Sequence, residues 1–397
     1  MNSNIFQYAE NLGHHPEQDV FFMRQALALA ESVLYVPSPN PRVGCVIVRD
    51  GQIIGKGATQ QAGSHHAEVM ALKDMADRGH SAKGATIYVS LEPCSHHGRT
   101  PPCVNALIEA RPDRVVFAHF DPNPNVAGQG MRALREAGIA VSVGVCADLA
   151  LEINPGFVSR MTRGVPYVWM KTAASLDGRT ALSNGVSQWI TGSQARADGH
   201  HWRARSCVVL TGIGTIRTDN PRLNVRHVST PRQPKRAVID PAFEINEDAT
   251  LIDGEPVYIF TATVNHAKAD RLIARNVQVV HVPEGEPTPS RPRPRVDMQA
   301  MMQWLAANGH NEVHVEAGEG LNGALLAADC IDELLVYMAP MLIGQGKGIA
   351  QVPVLQQLDD AHRFSFIDVQ LLGADVRLRA RVSEHWRTLM KSIHLVP

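Results

Sequence analysis

The chain has 397 residues, room for two or three domains at roughly 100–200 residues each. Its composition, 44% hydrophobic and 19% charged with a formal net charge of −1, is that of a soluble globular protein. It provides no global field to draw in nucleic acid or an anionic membrane. No apolar run is long enough for a membrane span, and the polar stretch Met1–Gln18 lacks the apolar core of a signal peptide. The six scattered cysteines do not make a disulfide scaffold, so a reducing cytoplasm is expected, where cysteines serve metals or catalysis.

Apolar residues recur at helical spacing from Val20 to Leu34, which predicts a first amphipathic helix. Pro37, Pro39 and Pro41 then force an extended loop around Asn40. Val43–Val48 reads as a strand, Asp50-Gly51 as a turn and Gln52–Gly57 as the returning strand. A helix over Ala67–Met75, a strand over Ala85–Leu91 and a helix over Cys103–Ala110 follow. Arg114–Ala118 is a strand, Met131–Ala137 a helix, Ile139–Val143 a strand, and Leu149–Arg160 a single closing helix. This alternation predicts a three-layer α/β domain over residues 1–164, ended by the breaker Arg163-Gly164-Val165-Pro166. The alternation restarts over 165–397, with strands at Tyr167–Ala173, Cys207–Thr211, Lys235–Ile239, Val257–Phe260, Val277–His281, Glu312–Glu316, Glu333–Ala339 and Asp375–Arg381. Pro283–Arg295 reads as a solvated loop.

The strongest chemical signal is composite. His66-Ala67-Glu68 opens one predicted helix, Glu92-Pro93-Cys94 ends a strand, and Cys103 opens the next helix. One imidazole and two thiolates give Zn²⁺ three ligands and leave a fourth position open, the layout of a catalytic site. Zinc in such a site acidifies water for attack on an amidine-like ring carbon, and Glu68 serves as the proton shuttle. Residues two apart within a helix do not face each other, so His66 and Glu68 share a site only if it lies at the helix N-terminus. Cys45, Cys146, Cys207 and Cys330 have no partner motif and read as core or incidental residues.

Pro39-Asn40-Pro41-Arg42-Val43-Gly44, His66-Ala67-Glu68 and the run Leu91 to Cys103 (LEPCSHHGRTPPC) together resemble the riboflavin-pathway deaminases of the cytidine-deaminase-like superfamily. Zinc deaminases in general carry P-C-x-x-C. Eight residues separate Cys94 from Cys103 here, a departure that is itself the pattern of the diaminohydroxyphosphoribosylaminopyrimidine deaminases. The resemblance implies that Asn40 reads the base and that His96, His97 and Arg99 suit a phosphorylated ribosyl substrate. Asp121-Pro122-Asn123-Pro124 also matches that family.

The second half resembles the reductase partner of the same bifunctional family, which has a dihydrofolate-reductase-like α/β fold. The residues that carry this are Lys171 to Thr180, Ser187 to Thr191, Thr215 to Pro221 and Val315 to Gly320. Gly318-Glu319-Gly320-Leu321-Asn322-Gly323 matches G-x-G-x-x-G after a strand and before a candidate helix, a place where backbone N–H groups cradle phosphates. No acidic ribose reader follows about 20 residues on, so a Rossmann domain is not expected. By matched position, the resemblance implies NADPH contacts at Ala173, Trp189, Thr215, Asp219 and the turn Gly318, Glu319, Gly320, Leu321, Asn322, Gly323 and Ala324. It implies substrate contacts at Ser187, Arg203, Leu223, Arg226 and Glu316, with Arg203 and Arg226 suited to clamp a phosphate. Lys171 and Asp177 are further candidates near the reaction centre. Pro241 stands where relatives often have a small hydroxyl residue. The whole implies a cytoplasmic bifunctional enzyme using Zn²⁺ and NADPH on small phosphorylated pyrimidines, with neither nucleic acid nor membrane as partner, and a homo-oligomer, dimer or tetramer. A tRNA-adenosine-type deaminase would share the zinc motif, but it would carry a basic surface and need no second half of this kind.

Overall fold

The structure, a computed structural model, describes residues 16–96, 101–123, 126–285 and 292–394. The chain divides into two compact units. One holds the residues up to Arg163 together with those from Arg387 on, and the other holds Gly164–Trp386. No helix among the described residues is long and apolar enough to cross a membrane.

The first unit runs α1 (Glu17–Ser32), β1 (Gly44–Arg49), β2 (Gln52–Ala58), α2 (Ala67–Asp77), β3 (Thr86–Val89), α3 (Cys103–Ala110), β4 (Arg114–Phe117), α4 (Gln129–Glu136), β5 (Ala140–Val143), α5 (Ala147–Ile153) and α6 (Pro155–Arg163). Its sheet has the order β2-β1-β3-β4-β5, antiparallel at β2/β1 and β1/β3 and parallel beyond. Successive strand residues point to opposite faces, which sorts the two cores. Cys45, Ile47, Ile87, Val89, Val115 and Phe117 pack with Ala67, Ala71, Val104 and Leu107 of α2 and α3. Val46, Val48, Tyr88 and Val116 pack with Phe22, Met23, Ala26 and Leu27 of α1. The expected three layers result. Gly44 is obligatory for this packing, since a Cβ there would stand 1.9 Å from the Ala26 carbonyl oxygen.

One expectation fails in this unit. The closing helix is two helices, α5 and α6, broken at Asn154. Pro155 disfavours helical backbone at the residue before it. The Asn154 side chain is also taken by the Arg42 backbone, accepting from its N–H at 2.8 Å and donating to its carbonyl at 2.7 Å. The Arg42 guanidinium donates to the Leu34 and Ile153 carbonyls, so the proline loop bearing Asn40 is tied down from both ends.

The second unit runs β6 (Tyr167–Ser175), β7 (Ala181–Leu182), α7 (Ser193–Arg205), β8 (Val208–Gly212), α8 (Ile213–Asp219), β9 (Lys235–Ile239), β10 (Val257–Thr261), α9 (His266–Ile273), β11 (Val277–His281), α10 (Met298–Ala307), β12 (Glu312–Glu316), α11 (Glu319–Ala327), β13 (Glu333–Ala339), β14 (Gly346–Lys347), β15 (Ser365–Leu372) and β16 (Asp375–Arg381). The last helix, α12 (Ser383–His394), begins in this unit. The described residues form a nine-stranded sheet, β11-β10-β9-β8-β12-β6-β13-β16-β15. It is parallel from β11 to β13, with β16 and β15 added antiparallel at one edge. The parallel strands are covered by apolar clusters that include Val168, Met170, Leu210, Val313 and Val315, as sheets carrying helices on their faces require. Every strand expected in this half is present; β7, β14, β15, α7 to α10 and α12 were not foreseen. Of the loop Pro283–Arg295, residues 286–291 lie outside the described residues.

Candidate functional site

In the first unit two helix N-termini meet at one point. His66 is the residue preceding α2, with extended backbone (φ −79°, ψ 167°), and Glu68 lies in the first turn. This is the arrangement that lets both face one site. α3 starts at Cys103, whose N–H donates to the Cys94 Sγ at 3.3 Å. A helix N-terminus so placed favours the thiolate. His66 Nδ1 stands 3.6 Å from Cys94 Sγ and 3.2 Å from Cys103 Sγ. Tetrahedral zinc with bonds of roughly 2.0 Å to nitrogen and 2.3 Å to sulfur separates N and S by about 3.5 Å, so the donor set fits that ion. These three side chains converge within 4.8 Å of one another.

These groups act strongly on one another electrostatically. The hydrogen bond between the two thiol groups pulls the Cys94 thiol well down and pushes the Cys103 thiol up, and the Cys103 backbone N–H adds to the lowering at Cys94. Burial, with the Cys94 charge adding, lifts the Glu68 carboxyl to about 7. A bound dication favours the charged form of each.

The cleft around them is lined by Asn40, Thr59, His66, Glu68, Cys94, His96, Asp121, Asn123 and Arg160, among others. Asn40, His96 and Asp121 thus line the same cleft as His66, Glu68 and Cys94. His97, Arg99 and Pro124 lie outside the described residues. Thr59 and Arg160 were missed, since neither belongs to a motif. Glu92, in the motif beside Cys94, has a scaffold role. Its carboxylate accepts the N–H groups of Asp121, Gly128 and Met131, which caps α4 and carries Asp121 into the cleft.

In the second unit Lys171, Arg203 and Glu316 come together. Lys171 on β6 is in register with Glu316 on β12. Burial lowers the Lys171 ammonium, opposed by the Glu316 charge. Burial raises the Glu316 carboxyl, but the Arg203 charge and hydrogen bonds outweigh it and hold the group well below the usual range. Ala173 lies further along β6, Thr215 and Asp219 lie on α8, and Ser187 and the exposed Trp189 lie in the loop before α7. The Arg196 guanidinium sits 4.5 Å over the Trp189 ring.

Three expectations change form here. Arg203 does not present a free fork. Its Nε and Nη2 are filled by the two Glu316 oxygens, and its Nη1 donates to the Asn224 carbonyl at 2.9 Å. Arg226 is the exposed cation of the pair, and it hydrogen-bonds Asn224 Oδ1. The second is the glycine-rich run, which is a turn only at Gly318; the helix has begun by Glu319. Leu321 packs beside Gly212, buried Asn322 donates to the Ile349 carbonyl, and Glu319 accepts the Gly348 N–H, so these side chains serve the scaffold. Gly323 is a close approach to the Gln351 backbone, where a Cβ would stand 2.0 Å from an oxygen. What remains open for a phosphate is the backbone at the helix start, where a Cβ on Gly318 or Gly320 would meet nothing within 4 Å. Third, Leu223 is buried, with φ +53°, which sets the shape of its loop more than it offers a side-chain contact.

Comparison with known proteins agrees with both halves. Residues 16–119 match the cytidine and deoxycytidylate deaminase zinc-binding region, and residues 166–378 match the RibD C-terminal domain. The chain is 43% identical over 374 residues to the riboflavin biosynthesis protein RibD of Escherichia coli, spanning 91% of this chain and 98% of that protein. It is 37% identical over 362 residues to the RibD of Aquifex aeolicus, spanning 91% and 97%. Among solved structures, Acinetobacter baumannii RibD superposes with a TM-score of 0.83 at 41% identity, covering 92% of this chain and 99% of that one. A Thermotoga maritima deaminase/reductase superposes at 0.79 with 29% identity, covering 93% and 99%.

Proposed function

This chain belongs to the RibD family of riboflavin biosynthesis proteins, bifunctional enzymes that join a zinc-dependent deaminase to an NADPH-dependent reductase, and from that premise we propose which of its residues serve each reaction. Residues 1–164 carry the deaminase and 165–386 the reductase, while the residues from Arg387 on cluster with the first unit. The deaminase removes the 2-amino group of 2,5-diamino-6-(5-phosphoribosylamino)pyrimidin-4-one. The reductase then converts the ribosyl chain of the resulting uracil to ribityl.

His66, Cys94 and Cys103 hold the zinc, which when bound brings the ionisation of water near neutral pH. Glu68, buried beside them, takes the proton of the attacking water. It delivers that proton to the ring nitrogen, and then carries a second proton from the hydroxyl now on the ring carbon to the amine, which leaves as ammonia as the carbonyl forms. Asn40 and Asp121 orient the base, and the buried cleft keeps bulk water away from the ring. In the reductase half the cofactor supplies the hydride. The backbone at Gly318–Gly320 receives its phosphates, with Ala173, Trp189, Thr215 and Asp219 along its length. Glu316 and Lys171 face the sugar, Arg203 holds Glu316 in place, and Arg226 meets the substrate phosphate beside Ser187 and Leu223. We also propose a cytoplasmic homo-oligomer. Phe366, Val369 and Leu371 stand exposed on β15, the outermost strand of the large sheet, and an apolar edge of this kind favours pairing with a second copy.

The observation that carries this reading is the convergence of His66 Nδ1, both thiols and the buried Glu68 in one cleft. The test is incubation of pure protein with the diaminopyrimidine phosphate, with and without NADPH, followed by mass spectrometry. Without NADPH the mass should rise by about one unit, as an amino group is exchanged for oxygen. With NADPH two further hydrogens should be added. An unchanged substrate mass with zinc-loaded protein would refute the reading.

A further inference from the structure

The segment Leu223–His227, between α8 and β9, belongs to no helix or strand, yet its backbone is held at consecutive positions by side chains from elsewhere. Arg203 of α7 donates to the Asn224 carbonyl at 2.9 Å. Gln233 accepts the Val225 N–H at 2.8 Å and donates to the Val225 carbonyl at 3.2 Å. The Arg226 N–H donates to His200 Nδ1 at 3.2 Å. His200 is 5% exposed, and its ring meets that of His227 edge to face, with centroids 4.6 Å apart.

A backbone N–H can only donate, so His200 Nδ1 must be the unprotonated nitrogen of a neutral ring. Its surroundings enforce this. Burial first, then the charges of Arg203 and Arg226 and the neighbouring His227, lower its pKa to about 3, with Glu316 opposing. His200 therefore acts as a fixed acceptor at every ordinary pH. The residue whose N–H it holds is the exposed arginine beside Arg203. The two guanidiniums repel each other, and Arg222 adds to the positive field. A loop that presents a cation against like charges needs its backbone fixed before an anion arrives.

We propose that His200 is a positioning residue of the reductase half: by accepting the Arg226 N–H it fixes the loop so that the Arg226 guanidinium stands ready for the phosphate of the substrate. This rests on Arg226 as the phosphate contact. The bond His200 makes is to the Arg226 N–H, so its effect falls on the binding of the phosphorylated substrate rather than on hydride transfer.

The test compares His200→Phe, which keeps a ring against His227 but has no acceptor, with His200→Asn, whose Oδ1 replaces Nδ1. Both are assayed with the phosphorylated aminouracil and with its dephosphorylated form. His200→Phe should raise KM for the phosphorylated substrate about tenfold, the equivalent of one lost hydrogen bond. It should leave kcat within about twofold, and the dephosphorylated substrate and NADPH affinity should not change. His200→Asn should restore KM to near wild type. A KM that does not move, or that moves equally for both substrates, overturns the proposal, as does a His200→Asn as impaired as His200→Phe. Arg226→Ala separates the premise. If it leaves KM unchanged, the phosphate contact is misplaced; if it raises KM while His200→Phe does not, the role of His200 fails. Hydrogen exchange in the unmutated protein reads the bond without any variant. The Arg226 amide should be protected, and exchange at the rate of an open loop would overturn the proposal.

Discussion

Arg203→Ala is the most informative substitution in the reductase half, because it separates a phosphate clamp from a carboxylate holder. The two side chains are only 13% and 16% exposed, and the arginine fork is filled by both Glu316 oxygens. Removing one partner of a buried pair costs about 3–5 kcal/mol, mostly because the other charge stays behind. Lys171 and His314 also face Glu316 and offset part of that loss, so the lower end, about 3 kcal/mol, applies. For a unit of this size that is a fall in Tm of roughly 6–12 °C. All five tryptophans (Trp169, Trp189, Trp202, Trp304 and Trp386) lie within Gly164–Trp386, so tryptophan fluorescence reports this unit's unfolding selectively. A cycle of Arg203→Ala, Glu316→Ala and the double variant should show strong non-additivity in both stability and substrate KM. A Tm within about 2 °C of wild type, with additive effects, would place the pair among solvated ion pairs and return Arg203 to a direct phosphate role.

Cys94→Ser or Cys103→Ser should reduce zinc content, measured by atomic absorption, well below one ion per chain and abolish deamination; full occupancy in both variants would exclude them as ligands. Gly320→Val fills the open space at the start of α11 and should weaken NADPH binding at least tenfold in a fluorescence titration while deamination continues. Asp19 is buried, accepts from both terminal nitrogens of Arg114 at 3.0 and 2.7 Å and accepts from Tyr88, so Asp19→Ala should destabilise the first unit by about 3 kcal/mol, read as earlier thermal loss of deaminase activity. His385 lies between Asp332 and Asp329, and the hydrogen bond to Asp332 chiefly raises its pKa. A raised folded pKa means the stabilisation is full below the unfolded value of about 6.5 and is lost as pH rises through the folded value. The gap in tryptophan-detected Tm between pH 5.5 and 8.5 should therefore narrow in His385→Gln.

The parts of this molecule legible in its sequence are those whose cause is local. The strands show because branched and apolar residues run together between breakers, and the zinc cluster shows because each ligand sits beside a proline or a helix start. α7 was illegible because Ser193–Arg205 has no apolar stripe. Its inward residues include His200, Trp202 and Arg203, matched to a charged sheet face holding Glu316, Arg377 and Arg379. The loop at Arg226 is shaped by His200, Arg203 and Gln233, partners up to 26 positions away that leave no local pattern. Arg160 enters the deaminase cleft from α6, the separate helix that starts after the break at Asn154. The glycine-rich run misled in a different way. Its spacing suits a phosphate turn, yet Gly323 is required by the approach of the Gln351 backbone.

Glu68→Gln tests the chemistry most directly, since it keeps shape and volume and removes only the ability to carry a proton. Glu68 is 4% exposed, and the metal cluster consists of His66, Cys94 and Cys103 without it. Zinc content should therefore stay near wild type. Removing general acid–base help slows a reaction on the order of 10²–10⁴-fold. In the proposed mechanism Glu68 serves several proton transfers in turn, so the upper end of that range is expected. Reduction of substrate that has already been deaminated should proceed at the wild-type rate, because no residue of that reaction is touched. The decisive measurement is single-turnover deamination by the zinc-loaded variant across pH. A rate within tenfold of wild type would assign the proton transfers to another group in the cleft, with Asp121, whose carboxyl burial lifts to about 7, the first alternative to mutate.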